Sequence, residues 1–242
     1  MKDLAKILAL TIACVFFVSG SAMAITLYDV LDYDEVNNVN HPEYAETSKY
    51  TDTGAEAASL TDTDASQDDS TAFLFLEAAG FAVDNTFGIY GYTETSGVVT
   101  VTNTLEVFAG SDSPLISTTL EFNNGTVTNN ATGTTASIGN TFGFYITTPE
   151  NNGYTYYSHT SLNTADNYDH ALIFDTRDNT VGSLLGADIV VAFEDLYGGG
   201  DKDYNDMVVG FSDVKPTPEP ATMALLGLGL VGLAALKRRK SA

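Results

Sequence analysis

Between residues 73 and 211 the apolar residues come in short runs, about ten residues from one to the next, and most are β-branched or aromatic. The runs are Phe73 to Leu76, Thr86 to Tyr92, Val98 to Val101, Leu105 to Phe108, Leu115 to Phe122, Thr141 to Thr147, Tyr154 to Tyr157, Ala171 to Phe174, Ile189 to Phe193 and Met207 to Phe211, separated by turn-forming spacers. Runs of this length and spacing suit strands. They predict an all-β fold, a β-sandwich or jelly-roll-like single domain over residues 71–213. Thr71 to Ala79 suits a short helix equally well, because Leu76, Glu77, Ala78 and Ala79 favour one. Residues 25–70 are polar and acidic, with little apolar periodicity from Asn37 to Ser70, which predicts an arm or loop outside the core. One pattern recurs, Asn85-Thr-Phe-Gly-Ile-Tyr90 and Asn140-Thr-Phe-Gly-Phe-Tyr145. It reads as two comparable strands with a close backbone approach or bulge at Gly88 and Gly143.

Residues 25–220 hold four cations, Lys49, Arg177, Lys202 and Lys215, against 31 acidic residues, a formal charge near −27. Such a surface repels nucleic acid and anionic lipid, so both are excluded as partners. Cations are its natural counterpart. The one cysteine, Cys14, lies within the first 24 residues, so the remainder has neither thiol nor disulfide. Bracing must then come from packing or a metal.

The acidic excess is densest in Phe193-Glu-Asp-Leu-Tyr-Gly-Gly-Gly-Asp-Lys-Asp-Tyr-Asn-Asp206. Carboxylates so close repel one another unless a cation lies between them, and Ca²⁺ takes six to eight oxygen ligands from side chains and carbonyls of a tightly turned loop. Gly198, Gly199 and Gly200 let the chain double back. The candidate ligands are Glu194, Asp195, Asp201, Asp203, Asn205 and Asp206, with Ca²⁺ as the expected cofactor. Asp201-x-Asp203-x-Asn205 repeats the start of a helix-loop-helix calcium site, but Asp206 stands where that site needs Gly and Ser212 where it needs Glu. If the strand ending at Phe193 continued through Glu194 and Asp195, their side chains would point oppositely, leaving one to coordinate and the other capping or solvated.

Both ends carry sorting features. Lys2 and Lys6, the apolar stretch Ile7 to Val18 and Ala22-Met23-Ala24 have the order of a secretory signal peptide over residues 1–24, cleaved after Ala24. At the other end stand a linker over 214–220 holding Pro218-Glu219-Pro220, an apolar run over 221–236 and a basic tail over 237–242. As a helix, that 16-residue run spans about 24 Å, less than the roughly 30 Å hydrocarbon core. Its basic flank points to the cytoplasm and leaves the body outside. This tail resembles the PEP-CTERM sorting signal. The resemblance implies an exosortase-type peptidase as partner, transient anchoring in the inner membrane of a Gram-negative bacterium, and a cell-surface or extracellular destination. An uncut single-helix anchor is the alternative.

From about Phe73 to Phe211 the chain also resembles the extracellular β domains of unknown-function family 4114. The resemblance rests on the two Asn-Thr-Phe-Gly segments, Leu105-Glu-Val-Phe108, Asp169-His170, Phe193-Glu-Asp-Leu196 and Gly200-Asp-Lys-Asp-Tyr-Asn-Asp206. It implies a surface domain with a calcium loop and no known catalytic activity. Asp169, His170 and Asp175 are then further ligands or groups behind the ligands, since they flank the strand that precedes the loop. The expected function is non-enzymatic, in extracellular matrix or exopolysaccharide structure or in adhesion. A calcium-dependent carbohydrate-binding module stacking sugars on Tyr154, Tyr156 and Tyr157 is the alternative. A hydrolase using a pair such as Glu194 and Asp206 is the third, and crowded acids resemble ion ligation more than an acid–base pair. Intact mass of the protein recovered from the cell surface checks both ends: the expected product begins at Ile25 and stops near Pro218, whereas a chain keeping residues 221–242 contradicts removal of the tail.

Overall fold

The computed structural model describes residues 27–31, 50, 52–61, 68–77, 84–112, 114–150, 153–177 and 184–217. The signal segment with Ala22 and Ala24, the Pro218-Glu219-Pro220 motif, the apolar run 221–236 and the basic tail lie outside them. Among the described residues no helix is long and apolar enough to cross a membrane.

In chain order the elements are a short helix α1 (Leu27–Leu31) and strands β1 (Ala57–Leu60), β2 (Asp68–Leu76), β3 (Thr86–Thr95), β4 (Val98–Ala109), β5 (Ser117–Asn123), β6 (Thr126–Asn129), β7 (Thr134–Ser137), β8 (Thr141–Thr148), β9 (Tyr154–Tyr157), β10 (Ala171–Asp175), β11 (Ile189–Phe193), β12 (Met207–Phe211) and β13 (Val214–Thr217). They form two antiparallel sheets, one ordered β13-β1-β8-β3-β4 with β9 also on β8, the other β10-β11-β12-β2-β5-β6-β7. The all-β sandwich read from the sequence is the fold observed. Thr71 to Leu76 is strand, which settles the helix alternative there.

Alternation along each strand decides what fills the space between the sheets. Phe87 and Phe144 from the first sheet meet Phe193 and Phe211 from the second. Phe87 lies edge-on to Phe193 with centroids 5.8 Å apart, and Phe144 is 5.2 Å from Phe211. Each such pair adds about 0.5–1.5 kcal/mol beyond area burial. The second sheet is buried on its other face too, where Leu27, Val30, Leu31, Tyr50, Leu184 and Tyr204 cover Phe75, Leu172, Phe174, Val190, Ala192 and Val208. Burial on both faces explains why β10 to β12 read as continuous apolar runs rather than alternating ones.

Where the elements depart from the sequence reading, the missing signal is side-chain hydrophobicity. The polar stretch before residue 70 supplies α1, β1 and the start of β2; Ala57-Ala-Ser-Leu60 becomes a strand by pairing with β13 and β8. Val98 to Val101 and Leu105 to Phe108 are one strand, β4, whose polar middle is exposed and bonded through Asn103 Nδ2 to the Ser137 carbonyl at 3.0 Å. β6 and β7 are Thr-rich, yet the β5–β6 hairpin turns at Asn124-Gly125, both at positive φ (50° and 81°), as a type I′ turn requires. β13 takes residues assigned to the linker, and Pro216 fits because β13 is an edge strand.

The repeated six-residue pattern has a structural cause. Its copies lie side by side in β3 and β8, in a register pairing Gly88 with Tyr145, Ile89 with Phe144 and Tyr90 with Gly143. Each tyrosine ring covers the opposite glycine, so a Cβ on Gly88 would strike the Tyr145 ring and one on Gly143 the Tyr90 ring. Gly143→Ala should therefore cost about 1–3 kcal/mol. In a domain of this size that lowers the melting temperature by roughly 2–4 °C per kcal/mol. Differential scanning calorimetry checks it, and an unchanged melt contradicts the ring-over-glycine packing.

Candidate metal centre

Four strand ends meet at one end of the sandwich. β11 stops at Phe193, β12 starts at Met207, β10 starts at Ala171, and β3 brings Asn85 to the same place. The ladder pairs Phe193 with both Ala171 and Met207. Glu194 and Asp195 therefore emerge beside His170 and Asp206. Regular strand geometry ends at Phe193, so the two acids do not diverge as a continued strand would make them. Both are buried, at 0% and 1% exposure. The Asp195 N–H donates to Asp206 Oδ2 at 2.8 Å, and Asn85 Nδ2 donates to Asp195 Oδ2 at 2.7 Å.

The loop from Leu196 to Asn205 then folds back over Glu194. Gly198, Gly199 and Gly200 all have positive φ. A Cβ at Gly200 would collide with Glu194 Oε1, and one at Gly199 with the Tyr168 ring. Only glycine permits both the turn and the close approach. The loop is tied down from outside: the Gly198 N–H donates to Asp166 Oδ2 at 2.8 Å, and the Tyr204 hydroxyl to the Asp169 carbonyl at 2.8 Å.

This places five carboxylates in two overlapping groups. Glu194, Asp201 and Asp203 bring one ligand atom each within 4.8 Å of one another, and so do Glu194, Asp195 and Asp206. Among the described residues, no donor group reaches either of the two buried Glu194 oxygens. Among the described residues no lysine or arginine pairs with any of the five. Lys202, the nearest cation in sequence, lies over the Tyr168 ring at 5.7 Å. Burial pushes the Glu194 carboxyl far above the ordinary carboxylate range, and the charges of Asp206, Asp201 and Asp203 push it the same way. Burial and then Asp195 raise Asp206; burial and then Asp201 raise Asp203. An all-oxygen, strongly negative pocket of this kind matches the donor set of a hard divalent cation.

The other candidates make contacts of their own. Asn205 holds Asp203 through its side-chain amide. His170 is fully buried, with Nδ1 2.9 Å from the Glu194 carbonyl and Nε2 2.9 Å from Asp166 Oδ2, and the Tyr156 ring stacks on it at 3.6 Å. It holds the Glu194 backbone from behind. Asp169 Oδ1 accepts from the Ala171 N–H at 3.3 Å, outside both groups. Asp175 is at the far end of β10, about 13 Å of strand away, and pairs with Arg177 at 2.5 Å. Sequence reasoning missed Asn85 and Asp166. Asn85 sits in a segment singled out only as a strand, and Asp166 links His170 to Gly198 from a turn with no distinguishing pattern.

The raised carboxyls fix the sign of a pH effect. Without metal, Glu194 and Asp206 keep protons in the fold that the unfolded chain loses near pH 4. That stabilisation is complete below the unfolded values and disappears as pH climbs towards the folded ones. Thermal melts in chelator should thus show higher stability at about pH 5 than at about pH 8, and Glu194→Gln should shrink the difference. A wild-type melt that rises over this range contradicts the arrangement.

Residues 122–212 match the family model described as Domain of unknown function (DUF4114), and residues 216–240 match the PEP-CTERM protein-sorting motif. No curated protein and no solved structure matches the chain. The first match starts inside β5 and contains all five carboxylates, His170 and Asp166, but not Asn85. Strands β1 to β4 precede it, although β2 lies between β12 and β5 and β3 borders β8, so the folded unit extends beyond the matched segment. The PEP-CTERM motif is the sorting signal recognised by exosortase and marks an exported, surface-sorted protein. The chain thus carries a segment that matches DUF4114, followed by one that matches the PEP-CTERM sorting motif.

Proposed function

We propose that this is a non-enzymatic, calcium-stabilised surface module acting in extracellular matrix or exopolysaccharide structure or in adhesion. The observation that carries the reading is the Glu194 carboxylate, fully buried, without a donor on either oxygen and surrounded by four aspartates. An unpaired buried charge costs several kcal/mol, and a divalent cation converts that cost into a bond between β11 and the loop. Carboxylate ligands on an irregular loop favour Ca²⁺ over zinc, because the His170 imidazole is turned onto Asp166 and the Glu194 carbonyl. In the cell, the short apolar run and basic tail hold the chain briefly in the inner membrane with the sandwich outside.

A glycan-binding reading survives in altered form. Tyr156 is 1% exposed and stacked on His170, so Tyr154, Tyr156 and Tyr157 do not make one platform. Tyr197 instead is 51% exposed, held by its N–H on Glu150 Oε2 at 2.9 Å and its hydroxyl on the Ala165 carbonyl at 3.0 Å, with Tyr154 6.3 Å away. An exposed ring fixed at both ends suits stacking on a sugar.

Extracellular modules bind Ca²⁺ with Kd around 10⁻⁴ to 10⁻³ M. At a hundred times Kd, calcium adds about 2.7 kcal/mol, roughly 5–11 °C in the melting temperature of a domain of this size. Melts with calcium and with chelator should differ by that amount, and superimposable curves contradict the proposal.

A further inference from the structure

We infer that the centre takes two divalent cations bridged by the Glu194 carboxylate. The inference rests on the calcium reading above and concerns how many ions the site holds and which residues hold each.

The two carboxylate groups share Glu194 and nothing else. One adds Asp195 and Asp206, the other Asp201 and Asp203. Ligand atoms within 4.8 Å of one another can surround one ion between them. Glu194 has two buried oxygens, and among the described residues neither accepts from a donor group, so each can face a different ion. Charge points the same way. One divalent cation neutralises two of the five carboxylates and two cations neutralise four, and among the described residues no lysine or arginine compensates the remainder.

The two halves are built differently. Asp195 is fixed by Asn85, and Asp206 by the Asp195 N–H; both are buried at strand ends. That half is pre-organised and closed to solvent. Asp203 is half-buried and held by Asn205, while Asp201 is exposed. The second half belongs to the loop, opens to water and is completed only when the loop is in place. The inner ion therefore binds first and more tightly, and the outer ion orders the loop over it.

The test is isothermal titration of CaCl₂ into the full chain after stripping with EDTA, with far-UV circular dichroism confirming the fold of each variant. Wild type should bind two ions per chain in two affinity classes. Asp203→Asn, a half-buried loop change, should lose the weaker class and leave one ion at unchanged affinity, and Glu194→Gln should lose both. A wild-type stoichiometry of one overturns the second ion while leaving the calcium reading intact. No heat of binding removes both. Two ions retained in Asp203→Asn, or one ion retained with the tight class lost, overturns the assignment of ligands to the two halves. If Glu194→Gln fails to fold, wild type and Asp203→Asn decide the matter.

Discussion

A carboxylate closed off from water at the end of an internal strand, with no donor among the described residues on either oxygen, is the group on which the rest of this structure depends. Glu194 is in that position because the β11 ladder and the aromatic packing of Phe193 fix where the chain leaves the sheet. Its burial is completed by a loop whose glycines pass too close for any side chain. Isolated, such a group takes up a proton or destabilises the fold. Surrounded by four aspartates, it makes the end of the sandwich a receptor for positive charge.

The scaffold supplies rigidity to only part of this receptor. Asp195 and Asp206 are attached to strands buried on both faces, covered on one side by the inter-sheet phenylalanines and on the other by α1 and its neighbours. The loop holding Asp201 and Asp203 is anchored at its end by Tyr204, which packs on the second sheet, and otherwise by polar ties through Asp166, Asp169 and Glu150. His170 connects the two regions, bonded to the Glu194 backbone on one side and to the loop anchor Asp166 on the other.

Much of this was legible in the sequence, for definable reasons. β9, β11 and β12 run from Tyr154 to Tyr157, Ile189 to Phe193 and Met207 to Phe211 as the apolar runs suggest, because burial on both faces leaves no polar residue inside β11 or β12 to blur their limits. The acidic, glycine-rich loop was visible because one segment supplies nearly the whole cluster. β1, β6 and β7 were not, since small and threonine-rich strands gain their identity from partners rather than from their own residues. Asn85 and Asp166 were hidden for a similar reason: they lie roughly 110 and 30 positions from the residues they hold, and only the folded register brings them there. The repeated Asn-Thr-Phe-Gly pattern was seen, but its cause, two glycines each lying under the other strand's tyrosine, needs the pairing of β3 with β8.

The central claim is that Glu194 is charged in the working protein and neutralised by metal. The most direct measurement is a crystal structure of the processed protein grown in millimolar calcium, with anomalous difference maps collected at a wavelength where calcium scatters. The account predicts an anomalous peak about 2.3–2.6 Å from a Glu194 oxygen, with aspartate ligands from the same cluster. A calcium-saturated crystal in which Glu194 meets only protein and water contradicts it.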